Sequence, residues 1–225
     1  MKTILIVGGS KGIGKALVNT LKVDHNVIVM SRTEIASKAN TKQYLLDVLK
    51  DELPEIDVLN GLVYCPGSIN LKPFKRLTSE DFIEDFNINV LGAIRVLKKY
   101  EKSLSTQNGS VLLFSTVATQ MGMPFHASVA VSKAGVEGLV KSLAAEYATK
   151  IRFNAIAPTV TNTPLAARLL RNEKQQEAMK DRHPLKQYLE PTEVASLAAY
   201  LLSDKAKSIS GQIFPIDAGM VTLKI

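Results

Sequence analysis

The chain has 225 residues, 46% hydrophobic and 22% charged, with a net charge of +7 and a single cysteine. This balance excludes a disordered chain, and the length suits one α/β domain large enough to bury a core. The lone Cys65 excludes an intrachain disulfide and makes a reducing cytoplasm the expected compartment, while no apolar run approaches the roughly 18 residues of a membrane span. The opening Met1-Lys2-Thr3 and its short ILIV run do not read as a signal peptide. The cations are scattered, so neither a nucleic-acid nor a membrane partner is expected. Arg95, Lys98, Lys99 and Lys102 share a helix face by their spacing. They read first as a solvated face and second as a docking site for an acidic partner such as a carrier protein.

Taken in chain order, a strand at 3–7 runs into VGGSKGIG, residues 7–14, and a helix over 12–22. A second strand, 26–30, is followed by Ser31-Arg32, and a third, 43–46, by Asp47. Strand 57–64 leads to Cys65-Pro66-Gly67. The pattern then predicts one long helix over 79–104, carrying Phe82, Phe86, Leu91, Ile94 and Leu97. Some of these must face a sheet, and the excess suits a subunit interface. Strand 110–114 ends at Ser115-Thr116. Helix 128–149 has an apolar stripe of Val136, Leu139, Val140, Leu143 and Tyr147, with Lys133, Glu137 and Lys141 repeating at spacing four. Strand 151–157 is followed by Pro158. A weaker helix over 164–181 takes Thr163 as N-cap and Pro164 at its first position. Helix 191–203 and strand 212–216 complete the chain, with no linker or repeat to divide residues 1–225 into further domains. Alternating strands and helices imply right-handed crossovers and a mostly parallel sheet. Ligands of such a sheet bind beyond the carboxyl ends of its strands, where the glycines, hydroxyls and charges above collect.

The glycine loop is the clearest of these signals. Gly8, Ser10, Lys11, Gly12, Ile13 and Gly14 lie between a strand and a helix. Glycines there let the backbone approach a pyrophosphate, and the free N–H groups of the helix start hold its charge. A carboxylate after the second strand would favour NAD, whereas here Arg32 follows Ser31 and Lys11 stands in the loop. Two cations without a carboxylate suit a 2′-phosphate, hence NADP(H). Asp47 reads equally as an acceptor for the adenine amino group and as a helix N-cap. No metal is expected.

With these residues in view, the chain resembles the short-chain dehydrogenase/reductase family over nearly its whole length. Gly8, Gly12 and Gly14 match the family's glycine pattern, with Val7 where threonine is usual. Asn89 in INVLGA matches an asparagine that helps hold a proton-relay water. Residues 154–164, NAIAPTVTNTP, match the segment over the nicotinamide, with Thr159 in place of glycine, and IDAGM, 216–220, matches the end of the last strand. The resemblance implies a Rossmann-type doubly wound parallel sheet of about seven strands with helices on both faces, and a dimer or tetramer. Its implied activity is hydride transfer between NADP(H) and a small carbonyl or alcohol. Gly67, Pro158 and Thr163 would line the nicotinamide, and 163–184 would form a substrate lid offering Leu165, Leu169, Leu170 and Met179.

Three departures touch the chemistry. The family's Asn-Asn-Ala-Gly is here Tyr64-Cys65-Pro66-Gly67, and its active-site tyrosine is Val129, four residues before Lys133. Thr116 takes the place of the serine that orients substrate, and Lys133 that of the lysine that holds the nicotinamide ribose. Valine donates no proton. His126, one turn earlier, is the leading candidate for a replacement acid. Tyr64, His183, His25 and Cys65 read more naturally as packed or surface residues. A surface ion pair between Lys133 and Glu137 is the competing reading of the lysine, and a non-catalytic NADPH-binding module is the competing reading of the whole.

Overall fold

A computed structural model describes residues 1–35 and 40–224. Seven strands form one sheet: β1 Thr3–Val7, β2 Asn26–Ser31, β3 Thr41–Leu45, β4 Gly61–Tyr64, β5 Ser110–Phe114, β6 Arg152–Pro158 and β7 Ile213–Ile216. Every neighbouring pair is parallel, in the order β3-β2-β1-β4-β5-β6-β7. The chain builds outward from β1 in one direction, then returns to β4 and builds outward in the other. The order therefore reverses between β1 and β4, where a crevice opens beyond the strand ends.

Side-chain alternation explains how both faces are covered. In β1, Ile4 and Ile6 point to one face, Leu5 and Val7 to the other, and all four are buried. The Ile4 face meets Leu17, Val18 and Leu21 of helix α1 (Gly12–Leu21) and Val194, Ala198 and Leu201 of α6 (Pro191–Leu202). The Leu5 face meets Val96 and Tyr100 of α3 (Gly92–Ser105) and Val136 and Val140 of α4 (Ala127–Glu146). Helix α2 (Ser79–Phe86) packs on α4, and α5 (Glu173–Asp181) lies in the segment before α6.

Three elements differ from the sequence expectation. The strand expected over 57–64 is confined to Gly61–Tyr64, because its partner β1 starts at Thr3 and pairs only from Ile4↔Gly61 onward. The helix expected over 79–104 is interrupted by a π-turn at Asn87–Leu91. There Asn89 Nδ2 bonds the Asp85 carbonyl (2.8 Å) and the Tyr64 hydroxyl donates to the Ile88 carbonyl (2.8 Å). Side chains thus bond carbonyls where the ladder changes step, as at other π-bulges near functional sites. The helix expected over 164–181 is a 3-10 turn at Pro164–Ala166 followed by α5, whose N-cap is Asn172, accepting from Gln175 N at 3.0 Å. Thr163 precedes the short turn but makes no side-chain cap bond.

Candidate active site

The glycine loop is built for close approach. Gly8 (φ 79°) and Gly12 (φ 52°) are left-handed, and a Cβ on Gly14 would stand 2.3 Å from the Gly8 carbonyl oxygen. The first turn of α1 has no acidic residue and no side-chain cap, and Lys11 is its N-cap residue. The helix-start N–H groups of Gly12, Ile13 and Gly14 lack intrahelical acceptors, so this end attracts an anion. Ser10 Oγ accepts from Thr33 Oγ1 (2.9 Å), joining the loop to the turn that carries Arg32. Gln43 of β3 fixes that turn by donating to Ser31 Oγ (2.8 Å) and the Thr33 carbonyl (2.9 Å). Lys11 and Arg32 are both exposed at this corner. Thr163 packs across the loop, its Cγ2 lying 3.0 Å from the Cβ position of Gly12. Asp47 Oδ1 accepts from Leu49 N (3.0 Å), so the carboxylate braces the turn after β3. This cradle fits a dinucleotide: only glycines leave room for its backbone, and the positive helix end has no competing carboxylate.

Beyond β4 and β5, four elements converge. Lys133 is 8% exposed, and its Nζ donates to the Phe114 carbonyl at 2.8 Å. The expected alternative, a surface pair with Glu137, is therefore incorrect. Glu137 Oε1 instead accepts from Ser115 Oγ and Thr119 Oγ1, both at 2.6 Å. Burial pulls the Lys133 ammonium down to about 8, against the charges of Cys65 and Asp85, which raise it. Asn89 is 1% exposed; its Nδ2 reaches Ser68 Oγ and Ser132 Oγ, both at 3.0 Å, while its Oδ1 has no partner. That oxygen and Lys133 Nζ lie 3.4 and 3.5 Å from the Cβ position of Gly67. Asn89, Lys133 and Gly67 thus come together. Thr116, half-buried at the end of β5, accepts from Ala118 N at 3.4 Å, and Pro158 ends β6 on the same edge.

Val129, four residues before Lys133, is 5% exposed in the first turns of α4. Beside it Ser128 is 1% exposed and its Oγ has no partner, whereas other side chains with protons on this edge of the molecule are engaged. His126, the residue before α4, sets Nδ1 2.8 Å from the Pro124 carbonyl. Tyr64 is tied to the Ile88 carbonyl, and burial, then the Asp47 charge, pushes its phenol far above the usual range. Burial also pushes the Cys65 thiol up to about 12, with Lys133 opposing. His183 is wholly buried; its Nδ1 faces the Met179 carbonyl (2.7 Å) and its Nε2 meets Thr159 Oγ1 (2.8 Å), which ties the segment 163–184 to the residue after β6. Within that segment Leu170 and Met179 face inward, while Leu165 is 51% exposed. Leu170 and Met179 are thus buried in the chain itself, and Leu165 is left facing outward.

Sequence reading missed Asp85 and its partner Ser68. Asp85 is 1% exposed and Oδ1 accepts from Ser68 Oγ at 2.5 Å. Only the pairing of a loop with a helix reveals it. Elsewhere, Arg95 bonds the Val48 and Asp51 carbonyls and Lys99 pairs with Glu55, so half of the basic face is engaged within the chain. Among the described residues no cluster of His, Cys, Asp and Glu suits a metal. No helix there is long and apolar enough to cross a membrane.

Comparison with known proteins follows the same lines. The family model described as enoyl-(acyl carrier protein) reductase matches residues 8–221. The 3-oxoacyl-[acyl-carrier-protein] reductase FabG of Rickettsia felis is 32% identical, over 98% of this chain and 97% of its own. L-xylulose reductase of Bos taurus is 28% identical, over 96% and 95%. Among solved structures, ElxO with NADP bound gives a TM-score of 0.89 at 27% identity, covering 99% of each chain. A short chain dehydrogenase family protein from Francisella tularensis gives 0.88 at 26%, covering 99% of this chain and 100% of its own. The reversed strand order, the glycine loop at its switch point and these full-length matches have one explanation: the chain belongs to the short-chain dehydrogenase/reductase family of oxidoreductases.

Proposed function

We propose that the protein is an NADP(H)-dependent oxidoreductase that reduces a carbonyl, or oxidises the matching alcohol, with a proton donor other than tyrosine. The observation that carries this reading is the buried Lys133 beside the unpartnered Asn89 Oδ1, on the sheet edge that also holds the glycine loop. Gly8, Ser10, Lys11, Gly12, Ile13 and Gly14 would hold the pyrophosphate, with Lys11 and Arg32 on the 2′-phosphate. Asp47 would face the adenine, Lys133 the nicotinamide ribose, and Gly67, Pro158 and Thr163 the nicotinamide. The cofactor supplies the hydride. Thr116 would orient the substrate oxygen, Asn89 would hold the relay beside Lys133, and His126 stands at the mouth of the same helix. Residues 163–184 form the lid. The exposed Ile83, Phe86 and Leu91 support self-association through the α2–α3 side.

The relatives' names make 3-oxoacyl thioesters and small ketoses the first substrates to offer. NADPH oxidation with one of them, absent without it, supports the reading. A second reading, a binding module without turnover, is favoured by the aliphatic, buried Val129. Tight NADPH binding with no oxidation across the panel would establish that second reading instead.

A further inference from the structure

Among the described residues, two charged side chains are less than a tenth exposed: Asp85 at 1% and Lys133 at 8%. They carry opposite signs and belong to the same cluster. Asp85 Oδ1 accepts from Ser68 Oγ (2.5 Å), and Ser68 Oγ accepts from Asn89 Nδ2 (3.0 Å). Asn89 Nδ2 also reaches Ser132 Oγ (3.0 Å), one residue before Lys133. Asp85 Oδ2 has no partner. A buried carboxylate with an open oxygen is costly, and an opposite buried charge is what offsets it.

We propose that the Lys133 ammonium is this protein's proton donor, and that Asp85 is the positioning residue that keeps it charged. This rests on the oxidoreductase reading above. In the reductive direction a nicotinamide cofactor held at this edge would supply a hydride to the carbonyl carbon, and the carbonyl π pair would move to oxygen. A proton passes from Nζ to that oxygen, directly or across one water, leaving alcohol, oxidised cofactor and a neutral amine that water re-protonates. The other groups that face Nζ leave it this role. Phe114 of β5 presents a carbonyl, Cys65 after β4 a high-lying thiol, α2 the Asp85 carboxylate and the π-turn the Asn89 amide. On α4 itself, Glu137 is taken by Ser115 and Thr119. Burial brings the ammonium to about 8, a range in which a general acid works; Cys65 and then Asp85 oppose this, and of the two Asp85 is the one that carries a full charge near neutrality, the Cys65 thiol being pushed up to about 12.

The test compares wild type with Asp85→Asn, Ser68→Ala and Lys133→Arg. Two quantities are followed against pH: the turnover number for carbonyl reduction, and Lys133 ionisation in the cofactor-free chain, read by pH-dependent amine labelling and mass spectrometry. Wild-type turnover should fall as pH rises through the Lys133 titration. In Asp85→Asn both the turnover limb and the labelling midpoint should move to lower pH, by about one unit. Ser68→Ala keeps the carboxylate charge and should move both less, which keeps the test open should Asp85→Asn not fold. Lys133→Arg retains a cation but releases no proton near neutrality, so turnover should drop by roughly 100-fold while NADPH binding persists. A labelling midpoint unmoved in both Asp85→Asn and Ser68→Ala overturns the role of Asp85. A turnover limb that does not follow Lys133, or an active Lys133→Arg, overturns the donor assignment alone. Wild-type protein that binds NADPH and reduces nothing overturns it together with the oxidoreductase reading.

Discussion

The two ends of the crevice differ in what holds them. At the glycine loop the working parts are backbone: left-handed glycines, a Cβ-free approach at Gly14 and an uncapped helix start. At α4 they are side chains drawn from the β4 loop, α2, the π-turn and α4 itself, meeting around Lys133 and Asn89. The first end is local. The second is assembled over long sequence distances, and there the aliphatic Val129 is buried one turn before Lys133 while a buried carboxylate, Asp85, belongs to the same cluster. On the proposed reading the pyrophosphate and 2′-phosphate need only the first end, whereas the nicotinamide half and turnover need the second. Variants at the first end should therefore act on binding, and variants at the second should cost more in turnover than in binding.

The largest effect is expected from Gly14→Ala. Its Cβ would stand 2.3 Å from the Gly8 oxygen, so the loop must shift. NADPH affinity should fall by roughly 100-fold or more, about 2.7 kcal/mol, measured by titration calorimetry. Retained affinity would mean that the loop does not hold the cofactor.

Lys133→Met should act at both ends. NADPH binding should weaken about tenfold, or 1.4 kcal/mol, and reduction should be lost. The ammonium titrates at about 8 in the folded chain against its ordinary 10.5, so the unfolded chain binds the extra proton between those values. Wild-type stability therefore rises with pH across that window, and below it the cost of burying the charge is fully present. Lys133→Met should lack this rise, as thermal melts of the cofactor-free protein across that range would show. A variant whose stability climbs with pH as wild type's does would contradict this assignment.

Val129→Tyr sharpens the question of the missing acid. Position 129 is 5% exposed, so a phenol there enters space already filled by protein. With Lys133 as donor, the added phenol should bring no gain on the protein's own substrate and should lower stability by roughly the 1–3 kcal/mol that overpacking typically costs, as denaturant unfolding would show. A gain of roughly 100-fold on simple ketones, the usual worth of a general acid, would mean the site had merely lost one. The smallest effect is expected from Arg32→Ala. Removing one exposed cation should reduce the preference for NADPH over NADH by about tenfold at low salt, as competitive binding would measure.

These differences also explain what the sequence made legible. Loop chemistry at Gly8–Gly14 depends on neighbours in the chain, so its residues announce it. Strand positions followed from short apolar runs, and the parallel sheet from their alternation with helices. The π-turn did not, because it is coupled to Tyr64: a Cβ on Gly92 would lie 2.2 Å from the Tyr64 hydroxyl. Asp85 looked like an ordinary charge on an amphipathic helix, since Ser68 and Asn89 decide its inward environment. Spacing from Val129 points to His126, while the bond of its Nδ1 to the Pro124 carbonyl is visible only in the fold. Periodicity places a residue on a face, but its hydrogen-bond partners come from elsewhere in the fold.

The most direct measurement follows deuterium from the reducing position of labelled NADPH into the product. Wild-type protein would be incubated with 3-oxoacyl thioesters, ketones and ketoses, and the products read by mass spectrometry. A stereospecifically deuterated alcohol is expected from at least one substrate, with Lys133→Met forming none. Saturating NADPH binding with no deuterium in any product would contradict the account and leave a cofactor-binding module.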